Sequence, residues 1–272
     1  MCELFGVSSA KPVKLRYSLE EFAKHGGLLH PNKSGWGIAY YEGRDVLLLK
    51  EASPAATSPW VDFIHNIGLD SHVVIAHVRY ATAGEPAFEN THPFRRELGG
   101  QAHVFAHNGT LEGIFERMPL VSEFVRPIGL TDSEHAFCVL MERLEPLWRR
   151  SAGKVPDLSA RLELIAETAA ELRQLGSANF LYSDGDCLFA HAHRRSFDEG
   201  DHFSPPRPPG LCLGNRLDIA KDFEARGLKL ALHEPETPAL MLASVPLSKH
   251  GWTPLPEGSI TALRNGVEVA RV

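Results

Sequence analysis

Long apolar runs are missing from this sequence: none reaches the roughly 18 residues of a membrane-spanning helix, so the sequence predicts no membrane association. The first residues, MCELFG, have neither the basic region nor the apolar core of a secretory signal peptide. The four cysteines include no C-x-x-C pair, which argues against a disulfide framework and a zinc knuckle. Acidic residues outnumber basic ones, 34 to 28, and a net charge of −6 argues against nucleic-acid binding. We therefore expect a cytoplasmic protein.

The composition is typical of a globular protein. Hydrophobic residues make up 43% and charged residues 23% of the 272 residues. A chain of this length buries roughly three-quarters of its unfolded surface, so its core needs no disulfide or metal for stability. No internal repeat and no shift in composition divides the chain, and we therefore expect one domain over residues 1–272.

Strand patterns occupy the first part of the chain and return near its end. Short segments in which apolar residues alternate with polar ones, or crowd together, are bounded by turn residues. They predict strands at residues 2–7, 36–41, 46–49, 73–80, 102–107, 179–182, 187–191 and 239–245, and a hairpin over 260–272 around Asn265-Gly266. We expect the strand at 102–107 to stop at Asn108-Gly109, a dipeptide typical of turns.

Helical patterns lie among these strands. A short helix is predicted over residues 18–29, and the capping box TDSE at 131–134 starts a second helix that continues to Trp148. A third helix is predicted over residues 158–175. Strands, then two helices, then strands predict an α+β fold with helices packed on antiparallel sheets. The proline-rich segment 194–216 is predicted to be a surface loop, either a lid or an ordered excursion.

Cys2 is the most informative position for chemistry. If Met1 is removed, one residue carries both a thiol and a free α-amine, which titrates at about pH 8. The amine can then take the thiol proton without help from a histidine. The alternative is a small buried side chain at the start of a strand, since free cysteines are usually buried.

Three further features offer the parts of an amide-binding site. Arg79, at the end of an apolar strand, is suited to bind a carboxylate, or else it forms a surface salt bridge. Asn108 and Gly109 offer a side-chain amide and an unhindered N–H, which suit an oxyanion hole, or else they form a plain turn. Asp132, in the first turn of a helix, either binds an ammonium group or is stabilised by the helix dipole alone.

The fourteen histidines raise the question of a metal site. His191 and His193 would point to the same face of a strand, and His103 lies on another strand. No third ligand stands at a diagnostic spacing from them. We therefore expect neither a metal nor any other cofactor.

Several segments, in their order along the chain, resemble one family. Cys2 is followed by RYATAG at 79–84, NTHPF at 90–94, HNG at 107–109 and TDSE at 131–134. This series resembles the class II glutamine amidotransferase domain, and SGWG at 34–37 is most similar to its stand-alone, YafJ-like members. The resemblance covers essentially the whole chain. It implies the fold of the N-terminal-nucleophile hydrolases, a four-layer αββα sandwich of two antiparallel sheets flanked by helices.

The resemblance implies a thiol enzyme that cleaves γ-glutamyl amides. Cys2 matches the family nucleophile, with its α-amine as the general base, and Asn108 and Gly109 match the oxyanion pair. The thiol would form a thioester, water would release glutamate, and ammonia would leave or pass to an acceptor. Two alternatives stay open: a γ-glutamyl hydrolase acting on glutathione-like or other γ-glutamyl compounds, and a non-catalytic glutamine-binding regulatory subunit.

The resemblance also places the small-molecule substrate between opposite charges. Arg79 matches the arginine that holds the glutamine α-carboxylate, Thr82 matches a threonine beside it, and Asp132 matches the acid that holds the α-amino group. The chain departs from the pattern at Glu3, where many relatives have glycine, and at Ala83, where some have histidine. No synthase domain is recognisable in the sequence, so an acceptor site would require a synthase-type partner protein.

Overall fold

The computed structural model describes residues 2–14, 16–81, 85–215, 217–219 and 237–272. The strands, in chain order, are β1 (Glu3–Lys14), β2 (Trp36–Glu42), β3 (Asp45–Glu51), β4 (Asp70–Val78), β5 (Phe94–Leu98), β6 (Gln101–Leu111), β7 (Gly176–Ser183), β8 (Leu188–His191), β9 (Cys212–Asn215), β10 (Ala239–Ala243), β11 (Trp252–Pro254), β12 (Ile260–Arg264) and β13 (Val267–Arg271). The helices are α1 (Arg16–His25), α2 (Pro59–Ile67), α3 (Ile114–Arg117), α4 (Asp132–Arg150) and α5 (Leu158–Leu172), with a 3-10 turn at Ala55–Thr57.

The strands of the described residues form two antiparallel sheets. One has the strand order β11-β9-β10-β1-β4-β2-β3, and the other has the order β13-β12-β8-β7-β6-β5. In the first sheet β1 is paired on one side with β10 and on the other with β4. The beginning of the chain is therefore held inside a sheet, where both neighbours fix its backbone.

Apolar side chains fill the spaces between the layers. Between the two sheets, Leu4 and Ile75 of the first pack with Val104 and Leu181 of the second. A second cluster lies between the first sheet and the helices α1 and α2, and a third packs α4 and α5 on the outer face of the second sheet. The order of layers is helices, sheet, sheet, helices, which confirms the expected αββα sandwich.

Helix α4 forms as its sequence predicts, but its capping box is only half used. The Thr131 hydroxyl accepts a hydrogen bond from the N–H of Glu134 at 3.2 Å. The Glu134 carboxylate instead accepts from the N–H groups of Ile128 and Gly129 and pairs with Arg96. These donors compensate for the burial of Glu134, which is 1% exposed.

No helix in the described ranges is long and apolar enough to cross a membrane.

The prediction that a strand ends at Asn108-Gly109 is wrong. Strand β6 continues to Leu111, and both residues are paired with β7. A Cβ atom on Gly109 would lie 1.7 Å from the backbone oxygen of Ser177. Glycine is therefore required by the close approach of the neighbouring strand and not by a turn.

Other elements differ from the predictions in extent or are new. The helix expected over 18–29 is α1, which begins two residues earlier and ends at His25. Helix α2 is not predicted by the sequence patterns, although Ser58 caps it and Pro59 occupies its first turn. The hairpin near residue 272 is confirmed, with φ of 51° at Asn265 and 76° at Gly266, as a type I′ turn requires.

A buried ion cluster joins α5 to the turn between β7 and β8. The Arg161 guanidinium, 1% exposed, donates to Asp184 at 2.6 Å and to Asp186 at 2.7 Å. Replacing Arg161 by methionine is expected to lower the free energy of unfolding by about 3–5 kcal/mol, because Asp184 would remain as a buried, uncompensated charge. Urea denaturation measures this loss.

Arg264→Met is the matched control for this change. Arg264 pairs with the same Asp186, but its side chain is 34% exposed. An ion pair with such access to water contributes about 0–1 kcal/mol. Equal losses in the two variants would contradict the assignment of this energy to the buried Arg161–Asp184 pair.

Candidate active site

The thiol of Cys2 lies where β1 begins, next to the residues that leave β4. The two strands are paired with Glu3 opposite Val78, which brings Cys2 beside Tyr80. The Tyr80 N–H donates to Cys2 Sγ at 3.1 Å, and the thiol donates to the Tyr80 carbonyl oxygen at 3.2 Å. Cys2 is half-buried, so its sulfur is held in place at the edge of the core.

The protonation of Cys2 is set by opposing effects. Burial raises the pKa of the thiol above its ordinary value. The Tyr80 N–H and the positive charge of Arg79 act in the other direction, because both stabilise the thiolate. The net shift is upward, so the thiol is protonated at neutral pH. A nucleophile at this position therefore needs a base to take its proton.

Asn108 of the second sheet meets Cys2 of the first. Its Nδ2 donates to the backbone oxygen of Cys2 at 2.5 Å, across 106 positions of sequence. A side-chain amide carries two N–H bonds, so the second is available to another acceptor near Cys2. The side chain is 1% exposed, which keeps the amide from turning freely.

The Nδ1 and Nε2 atoms of His107 link three elements next to Asn108. Nε2 donates to the carbonyl oxygen of Ser177 at 3.1 Å, which leaves Nδ1 to accept from the Ser133 hydroxyl at 2.9 Å. Burial lowers the pKa of His107, in agreement with a neutral ring. The imidazole therefore ties β6 to β7 and to the start of α4.

A cavity of about 330 Å³ opens beside Cys2. Of the residues that the sequence predicts for the site, Cys2, Asn108 and Gly109 line it. Further lining residues are Tyr80, Thr110, Glu112, Leu175, Gly176, Ser177, Arg194, Ser196 and Pro206. Pockets for small molecules span roughly 300–1,000 Å³, so this cavity suits a ligand of about amino-acid size.

The first part of the proline-rich segment 194–216 supplies one wall of the cavity. The prediction of a surface loop is wrong for the end of the segment, because Cys212–Asn215 form β9 and are paired with β10. Arg195 and Arg207 exchange backbone hydrogen bonds of 3.1 and 3.0 Å. Their guanidinium groups lie 4.0 and 4.2 Å from the ring centroid of Phe197, within cation–π distance. The lining residues of this segment were not expected from the sequence, because no local motif marks them; they reach Cys2 only through the fold.

Arg79 leaves β4 as a buried side chain with 3% exposure, so the alternative of a surface salt bridge is wrong. Its guanidinium donates to the carbonyl oxygen of Glu85 at 3.2 Å. Burial lowers the pKa of Arg79, while the nearby groups of Cys2 and Asp132 act in the opposite direction. Cys2 and Asp132 therefore both lie within electrostatic range of the Arg79 guanidinium. Thr82 lies outside the described residues.

Asp132, the first residue of α4, is half-buried. Its Oδ2 accepts from the N–H of Leu111 at 2.7 Å, and its Oδ1 accepts from the N–H of Ser133 at 2.8 Å. The carboxylate therefore joins the end of β6 to the start of α4. A carboxylate offers about four lone-pair sites, so acceptor capacity is left for an ammonium group. Neither Asp132 nor Arg79 belongs to the described lining of the cavity.

This chain is similar to known proteins over most or all of its length. A family model described as class-II glutamine amidotransferases matches residues 1–272. The Escherichia coli (strain K12) protein YafJ, assigned to the glutamine amidotransferases, is 41% identical over 227 residues, 83% of this chain and 85% of its own length. A Haemophilus influenzae protein with the same assignment is 34% identical over 278 residues, covering 100% of this chain and 87% of its own.

Solved structures share the fold. A Pseudomonas aeruginosa protein assigned to the glutamine amidotransferases superposes with a TM-score of 0.67 at 28% identity, over 99% of this chain and 100% of that one. The glutamine phosphoribosylpyrophosphate amidotransferase of Bacillus subtilis gives 0.58 at 15% identity, over 98% of this chain but 48% of that one, a likeness of fold alone. With the family model matching from end to end, this chain belongs to the class-II glutamine amidotransferases.

Proposed function

We propose that this chain cleaves the γ-amide of glutamine with Cys2 as the nucleophile and releases glutamate and ammonia. The hydrogen bond from Asn108 Nδ2 to the backbone oxygen of Cys2 carries the proposal. It brings a thiol and an amide donor together at one cavity, and acyl transfer needs both a nucleophile and a preorganised donor. Membership of the family supports glutamine as the substrate.

In the proposed reaction, Cys2 Sγ attacks the γ-carbonyl carbon while the α-amine of Cys2, free once Met1 is removed, takes the thiol proton. Such a base is required because the raised pKa of the thiol keeps it protonated at neutral pH. The oxyanion accepts hydrogen bonds from the second N–H of the Asn108 amide and from the backbone N–H of Gly109. The C–N bond then breaks, the α-ammonium returns its proton to the departing ammonia, and a thioester remains. Water, activated by the same amine, hydrolyses the thioester to glutamate.

The α-amino acid end of the substrate is proposed to bind between opposite charges. Arg79 would hold the α-carboxylate, with Thr82 beside it, and Asp132 would accept from the α-ammonium group. The effect of Cys2 and Asp132 on the pKa of Arg79, together with the burial of Arg79 at the end of β4, supports this arrangement. A zwitterion held at one end would present its amide to the thiol in a defined orientation.

Larger γ-glutamyl amides are the second candidate substrates. The cavity extends from Cys2 to Arg194 and Ser196, so a leaving group larger than ammonia has polar side chains to meet. If instead the ammonia is used in synthesis, the acceptor site would come from a synthase-type partner protein. A regulatory subunit that only binds glutamine is disfavoured by the thiol at the cavity.

The proposal is tested by measuring glutamate release from glutamine and from a panel of γ-glutamyl amides, with intact-mass spectrometry of the same sample. We expect release from glutamine by protein that lacks Met1, and an adduct on Cys2 after treatment with a γ-glutamyl electrophile. Turnover by protein that uniformly retains Met1 would contradict the α-amine mechanism. Faster turnover of a larger amide would identify a γ-glutamyl hydrolase, and binding without turnover or adduct would identify a regulatory subunit.

Arg79→Lys is expected to weaken glutamine binding by about 10- to 100-fold, the equivalent of one charge-assisted hydrogen bond. Lysine keeps the positive charge but loses the planar fork that binds a carboxylate with two parallel bonds. Calorimetry in a Cys2→Ala background measures the dissociation constant while the substrate survives the titration.

Arg95→Lys is the control for this substitution. Arg95 pairs with Asp45 at the surface, at 2.5 Å and with its side chain 37% exposed, away from the cavity. This variant should bind glutamine like its parent. If Arg79→Lys also binds like its parent, Arg79 does not hold the substrate, and the group that binds its α-carboxylate lies elsewhere.

A further inference from the structure

A second group of polar side chains surrounds the residue that follows Cys2. The Glu3 carboxylate contacts the Nδ1 atoms of two histidines, at 2.6 Å for His25 and at a shorter distance for His30. Asn32 Nδ2 donates to the same carboxylate at 3.0 Å. The ligand-capable atoms of Glu3, His25 and His30 all lie within 4.8 Å of one another. None of these residues is used in the proposed reaction.

The cluster joins three segments of the chain and has one open side. Glu3 belongs to β1, His25 is the last residue of α1, and His30 lies in the connection to β2. The Glu3 and His25 side chains are 4% and 10% exposed, whereas the His30 side chain is 32% exposed. An ion could therefore enter past His30 and retain water ligands on that side.

We propose that Glu3, His25 and His30 bind a divalent first-row transition ion such as Zn²⁺. Two imidazole nitrogens and one carboxylate oxygen are a donor set that binds Zn²⁺ or Fe²⁺, with the remaining positions held by water. Ca²⁺ and Mg²⁺ prefer oxygen ligands throughout and fit this set poorly. The ion would join β1 to the end of α1, one residue away from Cys2.

The arrangement needs little movement to accept the ion. The two imidazole rings, with centroids 4.4 Å apart, already direct Nδ1 toward one carboxylate. Ligand atoms at about 2.0–2.2 Å from a tetrahedral Zn²⁺ are roughly 3.3–3.5 Å apart, so the contacts to Glu3 would open by about 1 Å. The half-exposed His30 can move outward, and the bond from Asn32 orients the carboxylate as the outer partners of metal ligands do.

Metal-stripped protein carrying Cys2→Ala, which removes the competing thiol, is titrated with Zn²⁺ by calorimetry. We expect one ion per chain, and an anomalous-scattering peak between Glu3, His25 and His30 in crystals of the zinc-loaded protein. Asn32→Ala should weaken Zn²⁺ binding by about 10- to 100-fold, as loss of an outer partner does, and His30→Gln should weaken it by more than that.

His202→Gln is the matched control, because His202 forms an exposed pair with Glu199 at 3.3 Å. This variant should bind Zn²⁺ with unchanged affinity. Absence of stoichiometric binding, an anomalous peak elsewhere, or unchanged affinity in His30→Gln would overturn the proposal and leave the cluster as a hydrogen-bonded anchor for β1. The position of the anomalous peak does not depend on whether a ligand variant folds. Since the test measures no turnover, its failure would not bear on the proposed amidase reaction.

Discussion

Cys2→Ala is expected to reduce glutamine turnover to the assay background, a loss on the order of 10⁶-fold, as for the removal of other catalytic nucleophiles. Among the described lining residues of the cavity, Cys2 is the one that carries a thiol. The free energy of unfolding should change by only about 1 kcal/mol, because the thiol is half-buried and its two hydrogen bonds among the described residues both go to Tyr80. Glutamate release and urea denaturation measure the two quantities.

Cys2→Ser should be inactive as well, since a hydroxyl is a much weaker nucleophile than a thiol at neutral pH. Cys212→Ala is the matched control, because Cys212 is a free cysteine on β9 in the same sheet and does not line the described cavity. This control should keep the parental rate constant. Normal turnover by Cys2→Ala would show that another residue is the nucleophile and that the proposed mechanism fails at its first step.

Asn108→Ala is expected to lower kcat by about 10²–10³-fold while KM changes little, because an oxyanion donor acts when the carbonyl oxygen gains charge. The same amide also binds the backbone oxygen of Cys2, so the variant frees that oxygen too. Asn108→Asp keeps the shape of the side chain, but it also loses the bond to Cys2 and replaces the donor by a negative charge next to the oxyanion. We expect it to be at least as slow as the alanine variant in steady-state assays.

Asn179→Ala controls for general damage to this region. Asn179 is buried opposite Asn108 on β7, and its Nδ2 donates to the backbone oxygens of Asn108 and Arg194 at 3.2 and 2.6 Å. It donates no described bond to Cys2, so its loss should lower stability far more than kcat. If Asn108→Ala reacts within a few-fold of its parent, or slows no more than Asn179→Ala, Asn108 is not an oxyanion donor.

The elements that the sequence predicts well are those whose signals are local. Helix α4 has its cap at Thr131 and its apolar residues at helical spacing, and the last hairpin has a turn dipeptide with two positive φ angles. The same dipeptide rule fails at Asn108-Gly109. There the backbone is held extended by β7, whose contacting residue Asn179 lies 71 positions away in sequence. A long-range strand pairing therefore overrides a local turn preference.

In the candidate site, too, the residues in recognisable sequence motifs were predicted, and those that only the fold brings together were not. The order of the motifs along the chain predicted Cys2, Asn108 and Gly109, and the structure brings these three to one cavity. Arg194 and Ser196 of the cavity wall escaped prediction because they lie in an irregular, proline-rich segment. The cluster around Glu3 escaped it because its carboxylate and its histidines are 22 and 27 positions apart, with no diagnostic spacing.

The sequence by itself determined which chemical groups are available and in what order: a thiol at position 2, a cation after an apolar strand, an amide followed by glycine, and an acid at a helix start. Only the tertiary structure decided which of them meet. The Tyr80 N–H reaches the Cys2 sulfur across 78 positions, and the Asn108 amide reaches the Cys2 backbone across 106. These contacts depend on the register of β1 against β4 and on the packing of one sheet on the other. Register and sheet packing are set by apolar side chains distributed over the whole chain, so no local pattern of residues contains them.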